Sequence, residues 1–173
     1  MARLLTVLAI VAAAVGEATA QTRPAETGSA VQAPSGPGAA YYEFLLARHL
    51  DSDGDLEGAV AALQRAARLD PASSEIQADL AGLFIRLNRP ADALAAGQAA
   101  LKNAPDNVTA NRVLGSIYAS LTQGPRTPPA ALRANAELAI RHLEKGDPES
   151  SPSVQLLLGR LYVQVENWDR AIA

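Results

Sequence analysis

The residues best suited to chemistry lie in an acidic stretch at 51–57, which reads DSDGDLE. Carboxylates at alternate positions are the hard oxygen ligands that calcium prefers. A calcium loop also requires a glycine at its sixth position and a glutamate at its twelfth, whereas this chain has Leu56 and Ala62 there. The sequence therefore favours a turn between two helices over a calcium site.

Histidine is the other residue type here that could bind a metal or transfer a proton. The chain has only His49 and His142, far apart in the sequence, and it has no cysteine. Neither histidine has the His-Glu spacing of a zinc enzyme, and the sequence lacks a glycine-rich phosphate loop and a Gly-x-Ser-x-Gly motif. We therefore predict that the chain is not an enzyme, with no catalytic residue, no bound metal and no cofactor.

The elements that carry these residues repeat along the chain with a period of thirty-four residues. A fixed period of this length is typical of proteins built as a stack of similar units. The recurring positions are Leu46, Leu80 and Leu114; Ala47, Ala81 and Gly115; Leu50, Phe84 and Tyr118; Ala59 and Ala93; and Pro71 and Pro105.

Each period contains two amphipathic helices joined by a turn. Apolar residues recur at offsets of three and four over 41–50 and again over 59–69, as on one face of a helix. Gly54 can adopt the left-handed conformation that ends the first helix, and the neighbouring aspartates favour the start of the second. A proline such as Pro71 or Pro148 then closes the pair.

These features resemble the tetratricopeptide repeat family. Its pattern has a large apolar residue followed by a small one in the first helix, then an aromatic residue, a small residue that opens the second helix and a closing proline. Leu114-Gly115 with Tyr118 matches the first part of this pattern most closely. The resemblance implies an all-α fold, a right-handed solenoid of antiparallel helix pairs.

The resemblance covers residues 40–173. An insertion near 122–130, rich in proline and glycine, separates the two helices of the third repeat, and the last residues form the first turn of an unfinished helix. We expect the chain to be a fragment of a longer protein, with a natural terminus as the alternative. The predicted repeats are 40–73, 74–107, 108–150 and a partial repeat at 151–173.

The N-terminus has the features of a secretory signal peptide. Arg3 precedes an apolar run, and Ala18-Thr19-Ala20 has the small-x-small form of a cleavage site. The run is shorter than the roughly 20 apolar residues that a membrane anchor needs, so cleavage is favoured over anchoring. We expect residues 1–20 to be removed, 21–39 to form a disordered linker, and the protein to be exported to the periplasm or the exterior of a bacterium.

In the family that this chain resembles, the first helices of successive repeats line a concave groove that holds a partner peptide. Each repeat places an arginine there, and a guanidinium matches the two oxygens of a carboxylate, so the partner could carry an acidic segment or a free C-terminus. The alternative is that these arginines are ordinary solvated residues. The predicted groove residues are Tyr41, Phe44, Arg48, Arg86, Arg112, Ser116, Leu156 and Arg160, together with Asp51, Glu75, Ala78, Ile85, Thr109, Ala119, Ser153 and Val163.

The resemblance predicts a protein-protein interaction scaffold or adaptor, acting in assembly of the cell envelope. The alternative is an accessory module of a larger exported enzyme whose catalytic domain lies elsewhere. A formal net charge of -3 argues against nucleic acid as the partner. Apolar residues of the last repeat, Leu156, Tyr162 and Trp168, offer a surface for self-association, whereas packing between helices is the expected main role of Trp168.

Overall fold

The computed structural model describes residues 38–123 and 128–172. Over these residues it contains helices and turns but no strand. The predicted leader at 1–20 and most of the predicted linker lie outside the described residues. The described α-helices are α1 (Ala39–Ser52), α2 (Leu56–Leu69), α3 (Ser74–Arg86), α4 (Pro90–Asn103), α5 (Val108–Ser120), α6 (Pro129–Lys145), α7 (Pro152–Gln164) and α8 (Trp168–Ala171).

Successive helices pack as hairpins, α1 with α2, α3 with α4 and α5 with α6. The hairpins stack in chain order, because α2 contacts α3, α4 contacts α5 and α6 contacts α7. Neither helix of a pair could bury its apolar stripe alone, so each hairpin depends on the next for its core. The prediction of an all-α solenoid of antiparallel helix pairs is confirmed.

Three of the turns between paired helices have a residue in the left-handed conformation, where the first helix must stop and the chain reverse. Gly54 has this conformation after α1, with φ 84°, as predicted. Asn88 takes the same role after α3 and Glu166 after α7, with φ 55° and 62°. In all three turns the next backbone N–H donates to a carbonyl five residues back, at 2.8 or 2.9 Å.

Capping side chains fix where several helices begin. Asp55 accepts a hydrogen bond from the Gly58 N–H at 2.9 Å and so caps α2. Asn107 does the same for α5, accepting from the Ala110 N–H at 2.9 Å. The acidic stretch at 51–57 therefore runs from the last two residues of α1 through the turn into the first turn of α2.

The third hairpin is interrupted between its helices. A 3-10 turn, Leu121–Gln123, follows α5, and residues 124–127 are not described. The second helix then begins at Pro129, inside the stretch that we predicted to be looped out. Proline is well tolerated at the first position of a helix because its missing N–H would have no partner there. The last two residues of the predicted insertion are therefore helical.

Small residues allow the helices to approach closely. Ala47, Ala59, Ala81 and Ala93 are buried, the last three fully. Gly97 lies against Leu114 and Gly115 against Leu143, each a contact between neighbouring helices. None of the described helices is long and apolar enough to cross a membrane.

Candidate partner-binding groove

The first helices of the hairpins, α1, α3, α5 and α7, carry the predicted groove residues. Tyr41 and Leu156 are exposed, at 64% and 59%, and Arg48, Arg86, Ser116 and Arg160 are also exposed. Phe44 and Arg112 are half-buried. Ala78 and Ala119 are buried, so these two predictions are wrong, since the small side chains are used for helix packing.

Two ion pairs cross between α1 and α3 in opposite directions. Arg48 on α1 donates to Asp79 on α3 at 3.3 Å, and Arg86 on α3 donates to Asp51 on α1. The two arginine side chains are 65% and 50% exposed. This part of the groove therefore presents alternating charges that are paired with one another, rather than the positive surface that the arginines alone suggested.

An open depression lies between these ion pairs. Its volume is about 170 Å³. Gly82 contributes to its wall, and a β-carbon on this glycine would meet no other atom within 4 Å. The depression therefore leaves room for a partner side chain beside the paired charges. It is lined by Ala47, Arg48, Asp51, Leu63, Asp79, Gly82, Leu83 and Arg86.

A second depression, which we call the aromatic depression, lies between the start of α1 and the turn from α2 to α3. Its volume is about 300 Å³, and the rings of Tyr41 and Phe44 form part of its wall. The structure thus brings three predicted groove residues, Tyr41, Phe44 and Glu75, together at one end of the groove. It is lined by Ala40, Tyr41, Phe44, Asp70, Ser73, Glu75 and Ile76.

Arg112 contacts the end of a neighbouring helix. Its Nε and Nη2 atoms donate to the backbone oxygen of Gly146, at 3.3 and 3.1 Å. Gly146 ends α6, where the last carbonyls lack helical partners and attract a cation. The guanidinium of Arg112 therefore stabilises the end of a neighbouring helix, and its role as a ligand of a partner carboxylate stays a prediction.

The predicted residues on α5 and α7 line neither depression. Ser116 donates its hydroxyl hydrogen to the Arg112 carbonyl oxygen at 2.9 Å, one helical turn earlier. Leu156 and Arg160 lie on α7 and are exposed. The site supported by geometry is therefore the part of the groove formed by α1 and α3.

The last repeat differs from the surface that we predicted. Tyr162 is buried, and its hydroxyl donates to Glu144 at 2.7 Å. Burial and the bond to Glu144 raise the pKa of Tyr162. Trp168 is 59% exposed and does not fill a space between helices. The expectation that Tyr162 is uncovered is therefore wrong. Trp168 is more exposed than a side chain packed between helices, and self-association through it stays a prediction.

The repeat pattern gave no sign of a polar cluster at Asn111. This side chain is fully buried and donates to the backbone oxygens of Pro105 and Asn107, both at 3.0 Å. Its Oδ1 lies 2.9 Å from His142 Nδ1, and the His142 ring stacks on Tyr118. The pKa of His142 is lowered, chiefly by burial and further by the charges of Arg141 and Lys145.

The described residues contain no group of three or more side chains that could hold a metal ion. What the groove offers is paired charge, two aromatic rings and two open depressions along a helical surface. Such an arrangement suits recognition of a polypeptide through many shallow contacts.

A model of the tetratricopeptide repeat family matches residues 11–74, 44–108 and 78–141. Together these matches span more than half of the chain, and the chain belongs to this family. The first match begins within the predicted leader. No curated protein matched the sequence.

Solved structures share the fold at low sequence identity. One is TTC0263, a thermophilic TPR protein of Thermus thermophilus, at 21% identity and a TM-score of 0.60, covering 77% of this chain and 69% of that one. Another is MamA, at 20% identity and a TM-score of 0.60, with the match covering 79% of this chain and 74% of MamA. A third is the first TPR of Spaghetti bound to the HSP90 peptide SRMEEVD. Its identity is 13% and its TM-score 0.57, and the match covers 73% of this chain and 93% of that one.

Proposed function

We propose that this chain is an exported interaction scaffold that holds a segment of a partner protein along the groove of α1 and α3. The observation that carries this proposal is the crossed pair of ion pairs, Arg48 with Asp79 and Arg86 with Asp51, beside an open depression. Exposed pairs of this kind stabilise a fold by about 1 kcal/mol at most. Their position on an open surface is therefore better explained by recognition than by stability.

A partner carboxylate would bind by exchange. Each of the two arginine side chains is at least half exposed, and its aspartate partner can turn towards water when a new carboxylate arrives. In the complex the two arginines accept an acidic side chain or a C-terminus of the partner. In the free protein each arginine is paired with its aspartate, so neither charge is left unpaired. The Spaghetti domain, whose bound peptide contains two glutamates and an aspartate, gives this proposal a precedent on the same fold.

Export is proposed from the sequence of the first twenty residues. A leader followed by a proline-rich and glycine-rich linker would place the repeats outside the cytoplasm, where envelope proteins assemble. Mass spectrometry of the protein from an exporting host should find a mature terminus at Gln21. Material that still begins at Met1 after export would contradict this part of the proposal.

Peptide selection tests the groove directly. We expect a displayed library of random peptides, panned on the full chain, to yield binders whose affinity can be measured by fluorescence anisotropy. Reversing both arginines, Arg48→Glu with Arg86→Glu, should weaken these binders by about tenfold or more, since two charge pairs become repulsive. Helical content by circular dichroism should not change.

The matched control is Arg133→Glu. Arg133 is also an exposed arginine in an ion pair, with Glu137 at 3.2 Å, but it lies on α6 outside the groove of α1 and α3. Its reversal should leave peptide affinity unchanged. Failure to select any peptide, or equal loss of affinity in the control, would remove the groove from the proposal.

A further inference from the structure

We propose that the aromatic depression binds a basic side chain, arginine or lysine, of the partner segment. This inference rests on the proposed function, because it names the chemistry of a partner held in the same groove. It differs from the sequence-based expectation, in which only acidic groups of the partner were recognised.

The walls of the depression are apolar and aromatic. Tyr41 is 64% exposed, so its ring is accessible from the groove, and Phe44 is half-buried beside it. Ile76 is buried and closes the floor from α3. A volume of about 300 Å³ is large enough for the end of a long side chain.

The charge on this depression is negative. Asp70 and Glu75 are carboxylate residues among those that line it, and the lining set includes no arginine, lysine or histidine. Glu75 Oε1 accepts a hydrogen bond from Asn107 Nδ2 at 3.3 Å, which holds the carboxylate in place from the next hairpin. A carboxylate accepts several hydrogen bonds, so Glu75 retains capacity for a partner donor.

These features are complementary to a cation with an apolar stem. A guanidinium or ammonium gains from the face of an aromatic ring and from charge-assisted hydrogen bonds to carboxylates, while its methylene groups cover apolar surface. An acidic partner residue would instead meet two like charges. The groove thus accepts different partner charges along its length. The aromatic depression accepts a basic residue of the partner, and the paired charges at Arg48 and Arg86 accept an acidic one.

The same peptide library provides the test. Peptides enriched on the full chain should contain arginine or lysine beside a large apolar residue. Replacing that basic residue by norleucine should weaken binding about fivefold to tenfold, and replacing it by glutamate should weaken it further. On the protein side, Glu75→Gln together with Asp70→Asn should remove the preference for the basic peptide over its norleucine counterpart.

Glu57→Gln is the matched control, because Glu57 is an exposed carboxylate in the first turn of α2 that does not line the depression. It should preserve the preference. Binders that depend on Arg48 and Arg86 but show no basic preference would overturn this inference and leave the proposed function standing. Absence of any binder would overturn both.

A photo-crosslinking amino acid at Ala40, which lines the depression, identifies the occupant in the full chain. Crosslinks to a selected peptide through its basic residue support the inference. Crosslinks to residues 21–37 of the same chain, or to a second copy, would show that the depression is already filled and would overturn it.

Discussion

Gly115 on α5 lies so close to Leu143 on α6 that a β-carbon on the glycine would come within 2.6 Å of the leucine Cγ and Cδ2 atoms. Real β-carbons do not approach other atoms so closely. Leu143 is fully buried, so its side chain has no free volume to move into, and its backbone nitrogen would also lie 3.1 Å away. The two helices of the third hairpin thus depend on the absence of a side chain at one position.

Gly115→Ala should therefore destabilise the protein by about 1–3 kcal/mol, because α5 and α6 would have to separate or Leu143 adopt a strained rotamer. Urea denaturation followed by circular dichroism measures this change. The midpoint should fall without loss of the cooperative transition.

Gly159→Ala is the matched control. Gly159 follows Leu158 in α7 as Gly115 follows Leu114 in α5, but a β-carbon there would meet nothing within 4 Å. Alanine should be neutral or stabilise the protein by up to about 1 kcal/mol through its higher helix propensity. Equal destabilisation in both variants would show that the contact with Leu143 is not the cause.

The period of thirty-four residues was enough to predict the hairpins and the close contact between helices at Gly115. Close packing of helix backbones requires a small residue at the contact, and this requirement is visible in the sequence. It could not predict the partner of Arg112, since the acceptor is the backbone oxygen of Gly146, and a backbone group has no residue-type signal. The insertion also moves α6 out of the period, so Asn111 and His142 could not be aligned as neighbours.

The groove residues show the same limit. The pattern placed Arg48, Arg86 and Asp51 on the first helices, but it did not predict Asp79 or which aspartate pairs with which arginine. Those pairs depend on the offset between α1 and α3 and on side-chain rotamers, which a repeat pattern does not fix. Charge on a repeat surface is therefore better judged from the stacked helices than from one helix at a time.

Asn111→Ala should destabilise the protein by about 2 kcal/mol. It would leave the carbonyl oxygen of Pro105 and the Nδ1 atom of His142 without their partner in a buried site, while the Asn107 oxygen would keep only the bond from the backbone N–H of residue 111. Thermal and urea denaturation measure this loss. Asn103→Ala, which removes one exposed bond to the Pro71 oxygen at 3.4 Å, should have little effect. Equal effects would contradict a special role for the buried amide.

His142 should make stability depend on pH. Its pKa in the folded state is lowered from 6.5, so the unfolded chain binds a proton more readily. Well above pH 6.5 this histidine is neutral in both states and stability is unaffected by its titration. As the pH falls from 6.5 through the lower folded pKa, the unfolded state is favoured and stability decreases.

Denaturation curves measured across this window should therefore show a declining midpoint. His142→Gln should make the decline shallower, although it also lowers stability at every pH because the ring no longer stacks on Tyr118. His49→Gln is the control: it retains His142, so its denaturation midpoint should decline with falling pH as in the unmodified protein. A pH profile that is the same in the His142 variant would exclude this histidine as its cause.

Arg112 and Arg160 have different roles. Arg112 stabilises the fold, whereas Arg160 is exposed and available to a partner. Arg112→Gln should lower stability by about 1–2 kcal/mol, because the half-buried guanidinium no longer donates two bonds to the Gly146 oxygen. Arg160→Gln, at an exposed position on α7, should leave stability unchanged within about 0.5 kcal/mol. If Arg112→Gln instead weakened peptide binding while the denaturation midpoint stayed the same, its role at the end of α6 would be wrong and the sequence-based expectation that it binds a partner would return.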